Sequence, residues 1–313
     1  MPRYLLSRLL QAVALVVVVS IVMFALIAGA PGGPAILVQQ DVTAEAAETM
    51  RRNLGLDDPV HVQYLRWASR MLRGDAGVSL SNSRPVATLL GQRFGATALL
   101  ASAALGLAIV VAIPVGVLSA LWRNRPFDRI ATALAFMGVS VPNFWLGIMM
   151  IILFSVTLGW LPSAGTGGGD APWDARLRHL IMPAVVLSAS SLAQLTRYTR
   201  ASMISVLRED FIRTARAKGV PQSAVLTRHA LRNGLIPVIT VIGVIMPRLF
   251  SGAAITESIF AWPGLGRLAV DAALQRDFPV IMSLTLLVSV LVIVASLVVD
   301  LLYAVVDPRI RYD

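Results

Sequence analysis

Apolar positions along this chain gather into six long runs, separated by polar connections that carry most of the arginines. Runs near twenty residues with few charges predict membrane-spanning helices. They cover residues 9–27, 96–121, 130–158, 180–205, 234–258 and 280–306. Pro114, Pro142, Pro183, Pro237 and Pro247 fall in or near them. Membrane helices tolerate such interruptions where neighbouring helices re-satisfy the freed backbone groups. Between the first two runs, residues 31–95 are polar and mixed in charge. A helix-like stretch at 43–54 has Glu45 and Glu48 early and Arg51 and Arg52 late, an order that suits the helix dipole. Glycines and prolines break the remainder into turns, so this segment reads as a long loop or small cap. The pattern predicts an all-α polytopic membrane protein. Its organisation is an N-terminus and first span (1–29), an extracytoplasmic loop (30–95), a five-helix core (96–306) holding a polar cytoplasmic connection at 206–233, and a tail (307–313).

Composition agrees with that pattern. The chain of 313 residues is 57% hydrophobic and 14% charged, with a mean hydropathy of +0.75, whereas soluble domains are about a quarter charged. The formal net charge of +10 would suggest nucleic acid on a soluble protein. Here the basic residues lie between apolar runs, so they set orientation against membrane lipid, and no nucleic-acid partner is expected. Arg3 and Arg8, then Arg123, Arg125 and Arg129, then the 206–233 connection, then Arg309 and Arg311 all fall on one side of a six-span chain. By the positive-inside rule that side is cytoplasmic, which makes this a multi-pass membrane protein with both termini inside. Ala28-Gly29-Ala30 resembles a signal-peptidase site, and a cleaved signal peptide is the competing reading of the first run.

Several chemistries are excluded. The chain has no cysteine, hence no disulfide, thiolate metal site or cysteine nucleophile. His61, His179 and His229 are scattered without metal-ligand spacing. Lys218 is the only lysine and is followed by Gly219 and Val220. A Walker A loop needs Gly-Lys-Ser/Thr to hold phosphate and magnesium, so any ATP that drives this protein is bound by another chain. The glycine-rich stretch at 165–169 follows no strand and reads as an external loop.

The most unusual stretch is 208–237. It is polar, basic and helix-prone, with Ala215, Ala217 and Gly219 clustered, and Pro221 marking a corner between two short helices. The second helix would carry Val225, Leu226, His229, Ala230 and Leu231 at amphipathic spacing. A solvated basic loop resting on anionic lipid is one reading. The other is a short helix seated in a partner's groove, its small residues making the contact and its arginines flanking it.

The stretch RTARAKGVPQSAVLTRHALRNGLIPV (213–238) resembles the cytoplasmic "EAA" loop of ABC-importer permeases. The general motif is Glu-Ala-Ala, three residues, then Gly. Arg213, Thr214, Ala215 and Gly219 stand at those positions. The first two depart from it and match the form of the dipeptide, oligopeptide, glutathione and nickel permease family, of the first-permease, dipeptide-permease-B-like type. Further stretches are similar to that family in the same order: YLLSRLLQ, LGLDDPVHVQYLRW (54–67), RGDAGVSL (73–80), WRNRPFDR (122–129), SVPNFWLG (140–147), TESIFAWPGLGRL (256–268), RDFPVI (276–281) and DPRIRY (307–312).

This resemblance implies a type I ABC-importer permease fold in a bacterial plasma (inner) membrane and no catalysis by the chain itself. It also implies a second homologous permease as heterodimer partner, two ATPase subunits that bind ATP and Mg, and an extracytoplasmic solute-binding protein. Arg213, Thr214, Ala215, Arg216, Ala217, Lys218 and Gly219 would form the coupling helix on an ATPase. The 31–95 loop would help receive the binding protein. Peptides are the cargo most associated with the family, with glutathione and nickel chelates as alternatives.

Charges inside a membrane mark function by default. Arg248 follows Pro247 near the middle of the fifth run and either meets a cargo carboxylate or pairs with the partner permease. Glu257, nine positions on, points to the opposite helix face at about 100° per residue. Asn143, Trp145 and Gln194 are further pathway candidates that equally suit helix packing. Asp300, near the end of the last run, reads as structural. An ion-coupled secondary transporter would instead place acids near the midplane and leave the 213–219 pattern unexplained. An intramembrane enzyme would need a base or metal set; Ser188, Ser190 and Ser191 have no intramembrane histidine, and no His-Glu-x-x-His occurs.

Overall fold

A computed structural model describes residues 2–29, 48–49, 55, 57–168 and 171–306. The helices are α1 (Pro2–Ala28), α2 (Val60–Leu72), α3 (Val86–Leu121), α4 (Pro126–Ser140), α5 (Asn143–Met150, winding on as a π-helical turn over Ile151–Thr157), α6 (Trp173–Val206), α7 (Asp210–Ala217), α8 (a composite over Gln222–Gly234), α9 (Ile236–Ile259), α10 (Leu265–Leu274) and α11 (Phe278–Val306). No strand occurs among the described residues beyond an isolated bridge between Val78 and Pro85. The expected helix at 43–54 lies outside the described residues except for Glu48 and Thr49, which are helical, and the tail at 307–313 lies outside them entirely.

Among the described residues, four stretches are long and apolar enough to cross a membrane alone: Ser7–Ala28, Val86–Leu121, Trp173–Val206 and Phe278–Val298. Two bent pairs bring the number to as many as six if each pair is one span. The run at 130–158, expected as one helix, is α4 and α5 bent by 105° between Ser140 and Asn143. The cause is Pro142, which lacks an N–H and drives the residue before it out of the α region. Val141 accordingly sits at φ −80° and ψ 123°. A milder 45° bend separates Gln222–Gly234 from Ile236–Leu249, beside Pro237. Pro114, Pro183 and Pro247 lie inside helices that run on through them.

Compactness divides the chain differently from its linear order. One unit joins the described residues up to Thr97 to 263–293; the other holds those of 98–262 together with 294–306. In the first unit, Val86, Leu89, Ala272 and Val280 form a buried cluster. Beside this cluster lies the carboxylate of Asp277, 1% exposed. It accepts hydrogen bonds from the hydroxyls of Ser79 and Ser81 and from the backbone N–H groups of Leu80 (3.1 Å) and Ser81 (3.3 Å). Thr97 Oγ1 accepts the N–H of Leu265 (2.7 Å) at the start of α10. These bonds hold distant stretches of chain in one body.

Asp277→Ala leaves those donors without their acceptor, at about 1–3 kcal/mol for each buried group. The expected outcome is loss of hydrogen-exchange protection at the Leu80 and Ser81 amides. Unchanged protection would show that the carboxylate does not hold this segment.

The second unit is built around α6, against which α4, α5 and α9 pack. Small residues allow the close approaches that membrane helix packing favours. A Cβ on Gly116 of α3 would lie 2.6 Å from the Thr199 Cβ and 2.9 Å from the Thr196 carbonyl of α6. Met182, Val186 and Phe260 form a further cluster with Leu146, Met150 and Phe154 around them.

Candidate functional site

The polar connection folds as a rigid ledge. After α6, a short turn over Leu207, Arg208 and Glu209 leads into α7, which has Asp210 in its first turn and Arg216 in its last. Both charges complement the helix dipole. Ile212 is 0% exposed and Ala215 8% exposed. They join Val117 and Ala120 of α3, Met203 of α6, and Val225 and Ala230 of α8 in one buried cluster. The amphipathic reading of 225–231 therefore holds, with Val225 and Ala230 inward and Leu226 and Leu231 packed at the margin.

The small residues do not share a face. Ala215 belongs to the chain's own core, whereas Ala217 and Gly219 are exposed together with Arg213, Thr214, Arg216 and Lys218. Gly219 has a local structural role. Its φ is +77°, its N–H bonds to the Arg216 carbonyl (3.0 Å), and the Val220 N–H bonds to the Ala215 carbonyl (3.2 Å). These two bonds are a Schellman stop, which favours glycine because a left-handed residue with a Cβ is strained. Val220 packs on the same cluster as Ala215, completing the stop with its apolar contact. A Cβ at Gly219 would meet nothing within 4 Å, so backbone conformation selects the residue here.

Two features escape sequence reasoning. Phe211 is 42% exposed on the first turn of α7. Its only sequence signal is an isolated aromatic in a polar stretch. The other is a buried clasp. Asp128, 2% exposed at the start of α4, accepts both Nε (2.5 Å) and Nη2 (2.8 Å) of Arg200 on α6. Its Oδ2 also takes the Asn124 N–H (2.8 Å), where Asn124 is left-handed at φ +64°. One carboxylate thus ties the α3–α4 turn to the helix that leads into α7.

The pathway candidates fall on three mutually packed helices: Asn143 and Trp145 on α5, Gln194 on α6, and Arg248 and Glu257 on α9. Trp145 is 49% exposed and Arg248 is exposed. Asn143 and Gln194 are half-buried. Glu257 is wholly buried and does not reach the chain's surface. Among the described residues no cluster of acids and histidines could hold a metal ion.

The described residues define an all-helical, polytopic membrane protein that carries a short helix with one exposed face on its polar connection. The particular family follows from the sequence. Residues 112–312 match the binding-protein-dependent transport system inner membrane component, and residues 1–103 match the N-terminal component of such systems. The chain belongs to this family, the membrane permeases of ABC importers, and is a multi-pass inner-membrane protein. It is 43% identical to the oligopeptide transport system permease protein AppB of Bacillus subtilis, with all of both chains covered. It is 41% identical to the glutathione transport system permease protein GsiC of Escherichia coli K12, again over the whole of both chains. In fold it resembles the inward-facing MetNI methionine ABC transporter, with a TM-score of 0.61 at 19% identity, covering 72% of this chain and 99% of that one. A permease of this class works with an ATPase and other partner components.

Proposed function

We propose that this chain is half of the translocation pathway of an importer for di- and oligopeptides, and that α7 is its contact with a separate ATPase. The observation that carries the coupling role is the two-sided build of α7. One face is locked through Ile212 and Ala215 to the ends of α3 and α6 and to α8; the other presents Arg213, Thr214, Arg216, Ala217, Lys218 and Gly219 outward. A push on that outer face moves α6 and, through α8, α9 as packed bodies, because tightly packed interiors transmit displacement rather than absorb it. Two ATPase subunits close on ATP and Mg, and a second homologous permease supplies the other half of the path. An extracytoplasmic binding protein delivers cargo to the 30–95 loop side. The N- and C-termini are cytoplasmic.

Peptide cargo is supported by the oligopeptide name of the 43% relative and by the glutathione name of the 41% relative, since glutathione is itself a small peptide. Arg248, exposed on α9, and Trp145 and Asn143 on α5 are the residues we assign to the path, with Gln194 beside them. Glu257, being buried, is left to packing.

The test is uptake. Cells lacking the chain are expected to lose accumulation of labelled di- and oligopeptides and to regain it with the wild-type chain. If only glutathione or nickel-chelate uptake follows the chain, the oligopeptide assignment fails. An Arg248→Ala variant that assembles is expected to reduce peptide uptake severalfold; normal uptake would remove Arg248 from the path.

A further inference from the structure

The loop between α1 and α3 contains a helix, α2, whose surroundings do not suit a purely aqueous segment. Its residues Val60, Tyr64, Trp67 and Met71 fall at i, i+4, i+7 and i+11, one stripe of a helix. That stripe meets α1. The Tyr64 and Trp67 rings lie 5.5 Å and 5.9 Å from the ring of Phe24. Ser20 Oγ donates to the Val17 carbonyl (2.7 Å) and accepts the Tyr64 hydroxyl (2.9 Å).

The depth of this contact matters. α1 ends at Ala28, and Ser20 lies roughly 12 Å back from that end at 1.5 Å per residue. The apolar span covers Ser7–Ala28, close to the ~30 Å of a hydrocarbon core. Tyr64 therefore meets α1 inside the apolar layer, and both hydroxyls are satisfied there, as hydrocarbon demands.

The apolar arc of α2 is wider than α1 covers. Leu65 is 63% exposed and Leu72 89% exposed; seven residues apart, they share one face to one side of the stripe. Arg70 and Gln63 fall opposite these leucines at about 100° per residue, with Arg66 between the two arcs. Arg66 pairs with Asp58 at 2.7 Å, and Arg73 follows at the C-cap. An apolar arc, an arginine-bearing polar arc and aromatics between them are the build of a helix lying in a bilayer interface. Long arginine side chains reach from there to the phosphate level.

We infer that α2 is an interfacial membrane helix: it lies in the leaflet at the C-terminal end of α1, with Leu65 and Leu72 in the acyl boundary and Arg66, Arg70 and Arg73 at lipid phosphates. Lipid is the favoured occupant because the stripe beside these leucines is already tied to the apolar part of a membrane span. The resulting anchor fixes the middle of the 30–95 loop to the bilayer surface.

The chain's lack of cysteine makes the test direct. Leu65→Cys, Leu72→Cys and Arg70→Cys, each in the full complex reconstituted in phosphatidylethanolamine–phosphatidylglycerol vesicles, are labelled with an environment-sensitive fluorophore. Doxyl-labelled lipid is expected to quench positions 65 and 72 severalfold more than position 70, and aqueous iodide to show the reverse order. Equal iodide quenching at all three positions overturns the inference, because α2 would then lie in water. Shielding of 65 and 72 from both quenchers also overturns it, because a protein partner would then cover the face.

Discussion

Replacing Arg216 and Lys218 together by glutamate is expected to reduce ATP-driven uptake more than tenfold while leaving the permease in the membrane in near-normal amount. Both side chains stand on the exposed face of α7, away from the Ile212–Ala215 contact that holds the helix to the bundle. The local cost is modest. Acidic groups near a helix C-terminus oppose the dipole by about 0.3–1 kcal/mol each, too little to unseat a helix whose inner face joins a seven-residue buried cluster. The cost at a docked partner is larger. Reversed charges that meet a surface complementary to arginine and lysine are penalised by several kcal/mol.

The measurement is co-purification of ATPase subunits from detergent-solubilised membranes, followed by ATPase assay. Gly219→Asp and Gly219→Asn refine it. Both residues tolerate the left-handed conformation better than most, and a Cβ has open space there. Only charge separates them, so the Asp variant is expected to lose partner ATPase and the Asn variant to keep it. Equal retention by the glutamate double variant and the wild type would sink the assignment of α7 as the contact.

The second large effect concerns the Asp128–Arg200 clasp. Asp128→Ala removes the acceptor of a bidentate guanidinium and of the Asn124 N–H in one step. Breaking one side of a buried ion pair costs about 3–5 kcal/mol. The figure falls toward the lower end here because the Arg200 side chain is 27% exposed and water can reach it.

The expected result is a clear drop in thermal stability of the purified permease. Residual folded protein should also show weaker coupling between ATP hydrolysis and uptake, because Arg200 sits on the helix that continues into α7. Exchanging the pair, Asp128→Arg with Arg200→Asp, is expected to restore stability only in part. The swapped carboxylate stands on α6 and does not reproduce the acceptor for Asn124. Full stability in Asp128→Ala would show the clasp to be incidental.

Hydrophobic spacing was enough to find the spans. Each of the six apolar runs overlaps one of the four candidate spans or two bent pairs found among the described residues, because the cost of exposing backbone and charge to lipid leaves few alternatives to apolar helices of set length. The helix end at the Gly219–Pro221 corner was equally legible, since the need for glycine at 219 follows from a single local conformation. The bend at Ser140–Asn143 was half legible. Pro142 signals a break, but the 105° angle depends on what α4 and α5 pack against.

What the sequence by itself determined is the class of protein: a polytopic helical chain, its spans, its permease family and the segment that marks the loop. Tertiary structure alone decided which side chains face inward and which distant residues meet. Ala215 turns into the core while Ala217 stays outside, because the packing of α7 on α3, α6 and α8 selects one face. Asp128 finds Arg200 across 72 positions, Asp277 finds Ser79 across 198, and Tyr64 finds Ser20 across 44. Each of these contacts joins groups that are polar in an apolar or buried setting. The chain's local periodicity carries no record of their partners, because hydrogen-bond satisfaction is a condition on the folded whole rather than on any stretch of it.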